Sequence, residues 1–315
     1  MAEKMLIIGG TGNIGKFIVE ASAKSGHPTF ALLREATLSD PDKAELIGSF
    51  KKSGVTILIV CISVGACIVV VCDLNELGEG YKASGCGYIH RGFMQIADQY
   101  KIISAIKEAG NVKRFLPSEF GSDVDRCRAV DPINQNYQLR VQLRGDIEAA
   151  GIPYTYVVCN LFSGFALSNF LQLGTTAPPR EKVIIPGDGN VKAVFNEEGD
   201  IATYTIKAAV DPRALNKILY IRPPQNIYSF HELVACWEKK IGKTLQKIYQ
   251  PEEQILNMIP ESPVPVNLLL AIDHSVFVKG DQTYFEIDPT LGVEATQLYP
   301  DVNYTTVDDY LNRFL

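Results

Sequence analysis

Met5-Leu6-Ile7-Ile8-Gly9-Gly10-Thr11-Gly12-Asn13-Ile14-Gly15 stands at the start of this 315-residue chain, and its reading decides the fold. Four apolar residues suit a short buried strand, and a glycine-rich turn follows at once. Ile14, Phe17, Ile18 and Ala21 then recur with helical spacing up to Gly26. Thr29 to Leu33 reads as a second strand, so the opening is strand, glycine turn, helix, strand, one right-handed crossover unit. A glycine-rich turn in that context is a dinucleotide signature. Gly9 permits the tight turn, Gly12 lets the backbone approach a pyrophosphate, and Gly15 lets the helix pack closely. Gly10, Thr11, Asn13 and Ile14 complete the candidate phosphate cradle, whose N–H groups start the helix.

The end of the second strand chooses between dinucleotides. NAD calls for an acid that holds the ribose hydroxyls, whereas Leu33 is followed by Arg34, whose guanidinium can pair with a 2′-phosphate. Lys43 adds a second positive charge. These residues point to NADPH, the alternative for Arg34 being a solvated surface charge.

Working outward, Ile96, Ile103 and Ile106 share one face of a helix between Met94 and Ala109, which Gly110 stops ahead of a strand at Val112 to Leu116. A helix from about Gln138 to Ala150 leads through Gly151 to a strand at Tyr154 to Val158. The alternation predicts an α/β fold, a Rossmann-like doubly wound parallel sheet over 1–158, and a smaller C-terminal α/β lobe over 159–315 that lends strands back to it. In that second part Ser229 and Glu232 form a capping box, Pro251-Glu252-Glu253 opens a helix, and Val307, Tyr310, Leu311, Phe314 and Leu315 mark an amphipathic helix capped by Thr306 and Asp309.

A formal net charge of -6 offers no basic field for a phosphate backbone, so nucleic acid is not an expected partner. Seven cysteines without a Cys-x-x-Cys pair, and four scattered histidines, suggest neither a disulfide framework nor a metal site. The N-terminus runs from charge straight into the glycine turn, which is no secretory signal, and the cytoplasm is expected. Val55 to Cys72 is eighteen residues without charge, the length of a minimal membrane span, but its β-branched content and the break at Ser63-Val64-Gly65-Ala66 suit two buried parallel strands, or one strand and an irregular return. No membrane association is expected. No tyrosine has lysine four places later, so the proton relay of ordinary short-chain dehydrogenases is missing, and neither a Gly-x-Ser-x-Gly elbow nor His-Glu-x-x-His is present.

Val112-Lys113-Arg114-Phe115-Leu116-Pro117-Ser118-Glu119-Phe120-Gly121 and Gly151-Ile152-Pro153-Tyr154-Thr155-Tyr156 resemble the plant isoflavone reductase-like proteins. Gly187-Asp188-Gly189-Asn190, Trp237 to Gly242, Phe277 to Asp281 and Leu298 to Val302 look most like the phenylcoumaran benzylic ether reductase branch. The resemblance covers roughly nine tenths of the chain. It implies an atypical short-chain reductase that uses NADPH to deliver hydride to a benzylic or enone carbon of a small aromatic phenol of lignan, neolignan or isoflavonoid type.

It also implies a basic lysine on the helix before Gly151, and eleven positions before Gly151 stands Arg140. A guanidinium stays charged and cannot accept a proton, though it can orient a phenol or hold a phenolate. Asn160, Phe162, Ser163 and Phe165 are placed to line an aromatic substrate pocket or simply to fill core. His274 either touches the phenol or is a packed, hydrogen-bonded histidine, and Asp200 is a family acid whose plainer role is a cap or salt bridge. From 59 to 93 the chain departs from the family pattern, as an altered reading frame or alternative exon would produce. The competing functional reading is a cofactor-binding sensor or impaired paralogue without turnover. The residues leave open whether the chain works alone or as a homodimer.

Overall fold

The computed structural model describes residues 2–60, 68–72 and 99–315. Five strands, β1 (Lys4–Ile8), β2 (Thr29–Arg34), β3 (Thr56–Val60), β4 (Ile68–Cys72) and β5 (Val112–Leu116), form a sheet in the order β3-β2-β1-β4-β5. Three more strands extend it. β6 (Thr155–Val158) meets β5 through the parallel bridge between Tyr154 and Phe115, whose N–H donates to the Pro153 carbonyl at 2.8 Å.

Beyond Phe162, the end of β7 (Leu161–Phe162), the chain builds β8 (Lys182–Pro186) and β9 (Lys192–Asn196) before returning. β10 (Lys217–Tyr220) then pairs parallel with β6. After β11 (Ile227–Ser229) and β12 (Gln246–Gln250), β13 (Gly292–Glu294) pairs parallel with β10.

The two faces of β1 show why the sheet is sandwiched. Met5 and Ile7 are fully buried on one face, in a cluster with Ile18 and Val19 of helix Gly15–Lys24 and Ile201, Ala202 and Ala209 of helix Glu198–Val210. Leu6 and Ile8 bury on the other, with Ile102, Ile103 and Ile106 of helix Gln99–Ala109 and Leu143 and Ile147 of helix Ile133–Ala149. A strand buried on both sides must be apolar throughout, and Met5 to Ile8 is. Helix Glu198–Val210 packs directly on helix Gly15–Lys24, so the second half of the chain supplies part of the cover over the glycine turn's own helix.

The rest of the C-terminal half has its own core. Phe170, Phe195, Phe230, Trp237 and Phe277 pack together between β8, β9 and helix Phe230–Ile241, and the indole of Trp237 donates to the Pro179 carbonyl at 2.7 Å. The expected capping box is present: Ser229 and Glu232 bond reciprocally. The helix expected at the C-terminus stops at Leu311 and tightens into a short turn over Asn312–Phe314, leaving Leu315 exposed rather than on the buried stripe.

The sheet is not parallel throughout, contrary to the expectation for Val55 to Cys72. β4 runs antiparallel to both neighbours, with Ile8 opposite Ile68 and Val70 opposite Phe115. A parallel return needs a crossover of a dozen or more residues, and only 61–67 separate β3 from β4. Within the described residues, no helix is long and apolar enough to cross a membrane. Most of the atypical stretch 59–93, and Ile96 of the expected helical face, lie outside the described residues.

Helix Ile133–Ala149 begins five residues before the expected start at Gln138. Asn134-Gln135-Asn136 hides the periodicity, yet Ile133 and Tyr137 bury against Val124, Ile255 and Leu270, and Pro132 supplies a ready-made entry. This early start puts about one and a half extra turns ahead of Arg140 and Arg144.

Candidate active site

The edge of the sheet where β1, β2 and β5 end carries a cavity of about 460 Å³. Its middle is the glycine turn. Gly9 has φ +73°, and the Gly12 N–H donates to the Gly9 carbonyl at 3.0 Å. A Cβ on Gly15 would stand 2.1 Å from the Gly9 oxygen, so any side chain there would force the turn apart. A Cβ on Gly12 would meet only that same oxygen, at 3.2 Å, its other surroundings being open cavity. The helix that follows has no side-chain cap and no acid in its first turn. Its N–H groups and positive dipole end are left for an anion. A pyrophosphate fits this cradle by backbone alone.

On one flank, Arg34 ends β2 and opens the short helix Glu35–Leu38, from which Thr37 borders the cavity. Lys43 reaches the same wall from the turn Pro41–Lys43, which Asp40 caps by accepting the Asp42 N–H at 3.0 Å. Gly9 and Gly12 to Gly15, Thr11, Arg34 and Lys43 all line this one cavity. Gly10 turns inward instead, its missing Cβ replaced by Val19 at 2.8 Å.

On the other flank, about 14 Å away across three strand spacings, stand Ser118, Glu119, Phe120, Arg140 and Phe162. This wall is assembled from distant pieces. The Ser118 N–H donates to Gln99 Oε1 at 2.8 Å. The Glu119 carboxylate takes both oxygens' worth of bonds from Arg144 Nε at 3.0 Å, while Arg144 Nη1 donates to Asp123 at 2.9 Å and Asp125 at 2.6 Å. Tyr220 donates its hydroxyl to Asp123 at 2.6 Å. Burial alone would weaken the charge on Arg144, but Glu119, then Asp123 and Asp125, hold its pKa well above the ordinary arginine value. Such a group is costly to disturb, because removing one partner strands the others in a dry interior.

Arg140 lies one turn before Arg144 on the same helix, so both face the 117–121 turn. Arg140 Nη1 donates to the Glu119 carbonyl, and its buried Nε has no hydrogen-bond partner among the described residues. The cavity continues under the sheet past Leu6, Val70, Ile102 and Ile106.

Several expected site residues are elsewhere. Phe162 borders the cavity, but Phe165 does not and is 41% exposed. Asn160 is buried with φ +58° and spends its amide on the Ile221 carbonyl at 3.0 Å, holding the chain between β6 and β7. His274 is 1% exposed just after helix Val266–Asp273, where Nε2 meets Glu252 at 2.9 Å, and it does not border the cavity. Asp200 accepts the Thr305 N–H at 2.7 Å, and burial raises its carboxyl to about 6. It ties down the C-terminal segment. Thr37, Ser118 and Phe120 were not foreseen as lining residues; Ser118 and Phe120 sit inside the Pro117-Ser118-Glu119-Phe120-Gly121 run, whose turn geometry no periodicity reveals.

The model of the NmrA-like family matches residues 1–311. This chain belongs to the NmrA-like family. Among relatives of this NmrA-like protein, it is 61% identical to phenylcoumaran benzylic ether reductase TP7 of Nicotiana tabacum and 61% identical to eugenol synthase 1 of Petunia hybrida, each covering 100% of both chains. Among solved structures it resembles isoflavone reductase, with a TM-score of 0.88 at 48% identity over 100% of both chains. It also resembles AtPrR2 bound to NADP+ and (+)pinoresinol, with a TM-score of 0.84 at 36% identity over 100% of this chain and 99% of that one. That neighbour thus carries the phosphorylated dinucleotide, the cofactor expected here from the sequence.

Proposed function

We propose that this protein is an NADPH-dependent reductase of phenylpropanoid-derived phenols, acting on a benzylic ether of lignan or neolignan type. The observation that carries the reading is one cavity that joins a backbone phosphate cradle, a cationic flank and an aromatic flank. The relatives named for benzylic ether reduction, and the neighbour holding NADP+ with pinoresinol, support the substrate class.

Gly9 to Gly15 hold the pyrophosphate by N–H groups at the helix start. Arg34, with Lys43, holds the 2′-phosphate, the group that separates NADPH from NADH. Bound there, NADPH supplies hydride to an electron-poor benzylic carbon as the ether C–O bond breaks, and the released oxygen ends as a phenol after taking a proton. Phe120 and Phe162 present flat apolar surfaces for an aromatic ring, and Arg140 places a positive charge beside it. The Arg144 cluster keeps the 117–121 turn, and with it Phe120, in place. The reading also puts the protein in the cytoplasm, a reducing compartment that suits Cys127, Cys159 and Cys236 as free thiols.

The test is NADPH oxidation followed at its absorbance band with a phenylcoumaran, pinoresinol and an isoflavone in parallel. The expected result is turnover of the phenylcoumaran above the others. Tight NADPH binding with no consumption on any of the three would overturn the reductase reading in favour of a cofactor-bound sensor.

A further inference from the structure

Among the described residues that border the cavity there is no histidine, and the one carboxylate, Glu119, is already held by Arg144. What remains beside Phe120 and Phe162 is Arg140, whose guanidinium donates hydrogen bonds and accepts none. Among the described residues its hydrogen bond is to a backbone carbonyl and not to a carboxylate. Glu119 offers a carbonyl, Arg144 on the same helix is bound to three carboxylates, and burial pushes Tyr137 and Cys159 upward, so neither is an anion at neutral pH. The buried Nε of Arg140 has no hydrogen-bond partner among the described residues.

Accordingly, we propose that Arg140 makes this flank a receptor for a phenolate already formed in solution, so that the protein selects its substrates by the acidity of their phenol. The inference rests on the reductase reading and deepens it. A phenol in water loses its proton to solvent or buffer; the phenolate enters, its oxygen meets the guanidinium, and no protein group has to take a proton. Selectivity then follows from physical chemistry. Ordinary phenols have a pKa of about 10, so at pH 7 only about one molecule in a thousand is ready to bind. Each unit of acidity gained multiplies that fraction about tenfold. An O-methylated analogue cannot ionise and is excluded.

The experiment is the pH dependence of kcat/KM for the intact protein with NADPH and a series of phenylcoumarans whose free phenol carries methyl, hydrogen or fluorine beside the hydroxyl. The expected result is a single rising limb, about tenfold per pH unit, whose midpoint moves one-for-one with the pKa of each phenol, since kcat/KM reports free enzyme and free substrate. The O-methyl ether should be inert. Arg140→Met should keep that limb while lowering kcat/KM about 10- to 100-fold through loss of a charge-assisted hydrogen bond. Arg140→Lys should add a second ionisation that does not move with the substrate. NADPH binding by fluorescence shows that each variant is folded. A limb that stays at one pH across the series would overturn the inference, because a protein group, Lys101 for example, would then be taking the proton. Absence of NADPH oxidation with every phenol would instead overturn the reductase reading itself.

Discussion

The two flanks of the cavity are built by opposite means. Around the glycine turn, every feature that matters comes from eleven consecutive residues and is made of backbone: a positive φ at Gly9, an absent Cβ at Gly15 and an uncapped helix start. Around Arg140, the wall is drawn from residues 99, 118–120, 140–144 and 162, and charged side chains hold it. A backbone site tolerates change in its neighbours but none in its own residues. A side-chain site can change ligands, yet fails as a whole when its buried charges lose balance.

The comparison is easiest to break through Arg144. Arg144→Met leaves Glu119, 4% exposed, without its cation, and Asp123, 2% exposed, with only Arg126 at 3.5 Å. We expect a loss of about 3–5 kcal/mol in urea or thermal unfolding, as for other broken buried ion pairs. A loss under about 1 kcal/mol would mean that packing, and not charge, supports the wall. On the opposite flank, Gly15→Ala presses a methyl group into the Gly9 carbonyl. NADPH affinity by calorimetry should fall at least about 100-fold, or about 2.7 kcal/mol.

Arg34→Ser separates recognition of the 2′-phosphate from that of the pyrophosphate. The ratio of NADPH to NADH affinity should fall about tenfold or more, with NADH affinity little changed. If both affinities fell together, Arg34 would be supporting the loop rather than reading the phosphate. The smallest effect is expected at Asp200, whose burial raises its carboxyl from 3.8 to about 6. The fold binds that proton more tightly than the unfolded chain does. Its contribution is therefore complete below about pH 4 and is lost as pH rises through 6. Asp200→Asn keeps an acceptor for the Thr305 N–H without the charge. It should flatten the stability profile between pH 4 and 6 and gain about 1 kcal/mol at pH 7 to 8, read from unfolding curves.

Much of this was legible in order along the chain. β1, β2 and β5, the Gly110 stop and the Ser229–Glu232 box all follow from contacts within a few residues, where propensity and spacing act directly. Arg34 was legible for the same reason, as the last residue of a recognisable strand. Asn160 and His274 were not, because a buried polar side chain beside a motif reads alike whether it serves a ligand or a neighbour's carbonyl. Asn160 serves Ile221, and His274 serves Glu252. Nor does a helical arginine announce whether it faces water, as Arg144 emphatically does not.

By itself, the amino-acid sequence determined the crossover unit, the tight glycine turn and the place of Arg34 at the end of β2, since each depends on backbone geometry over a short span. Only the tertiary structure decided that β4 runs against its neighbours, that helix Glu198–Val210 returns to cover the first helix, and that Glu119, Arg140 and Arg144 meet at one wall. Direction, return and encounter all depend on where distant segments are brought together, and burial, not local preference, sets that.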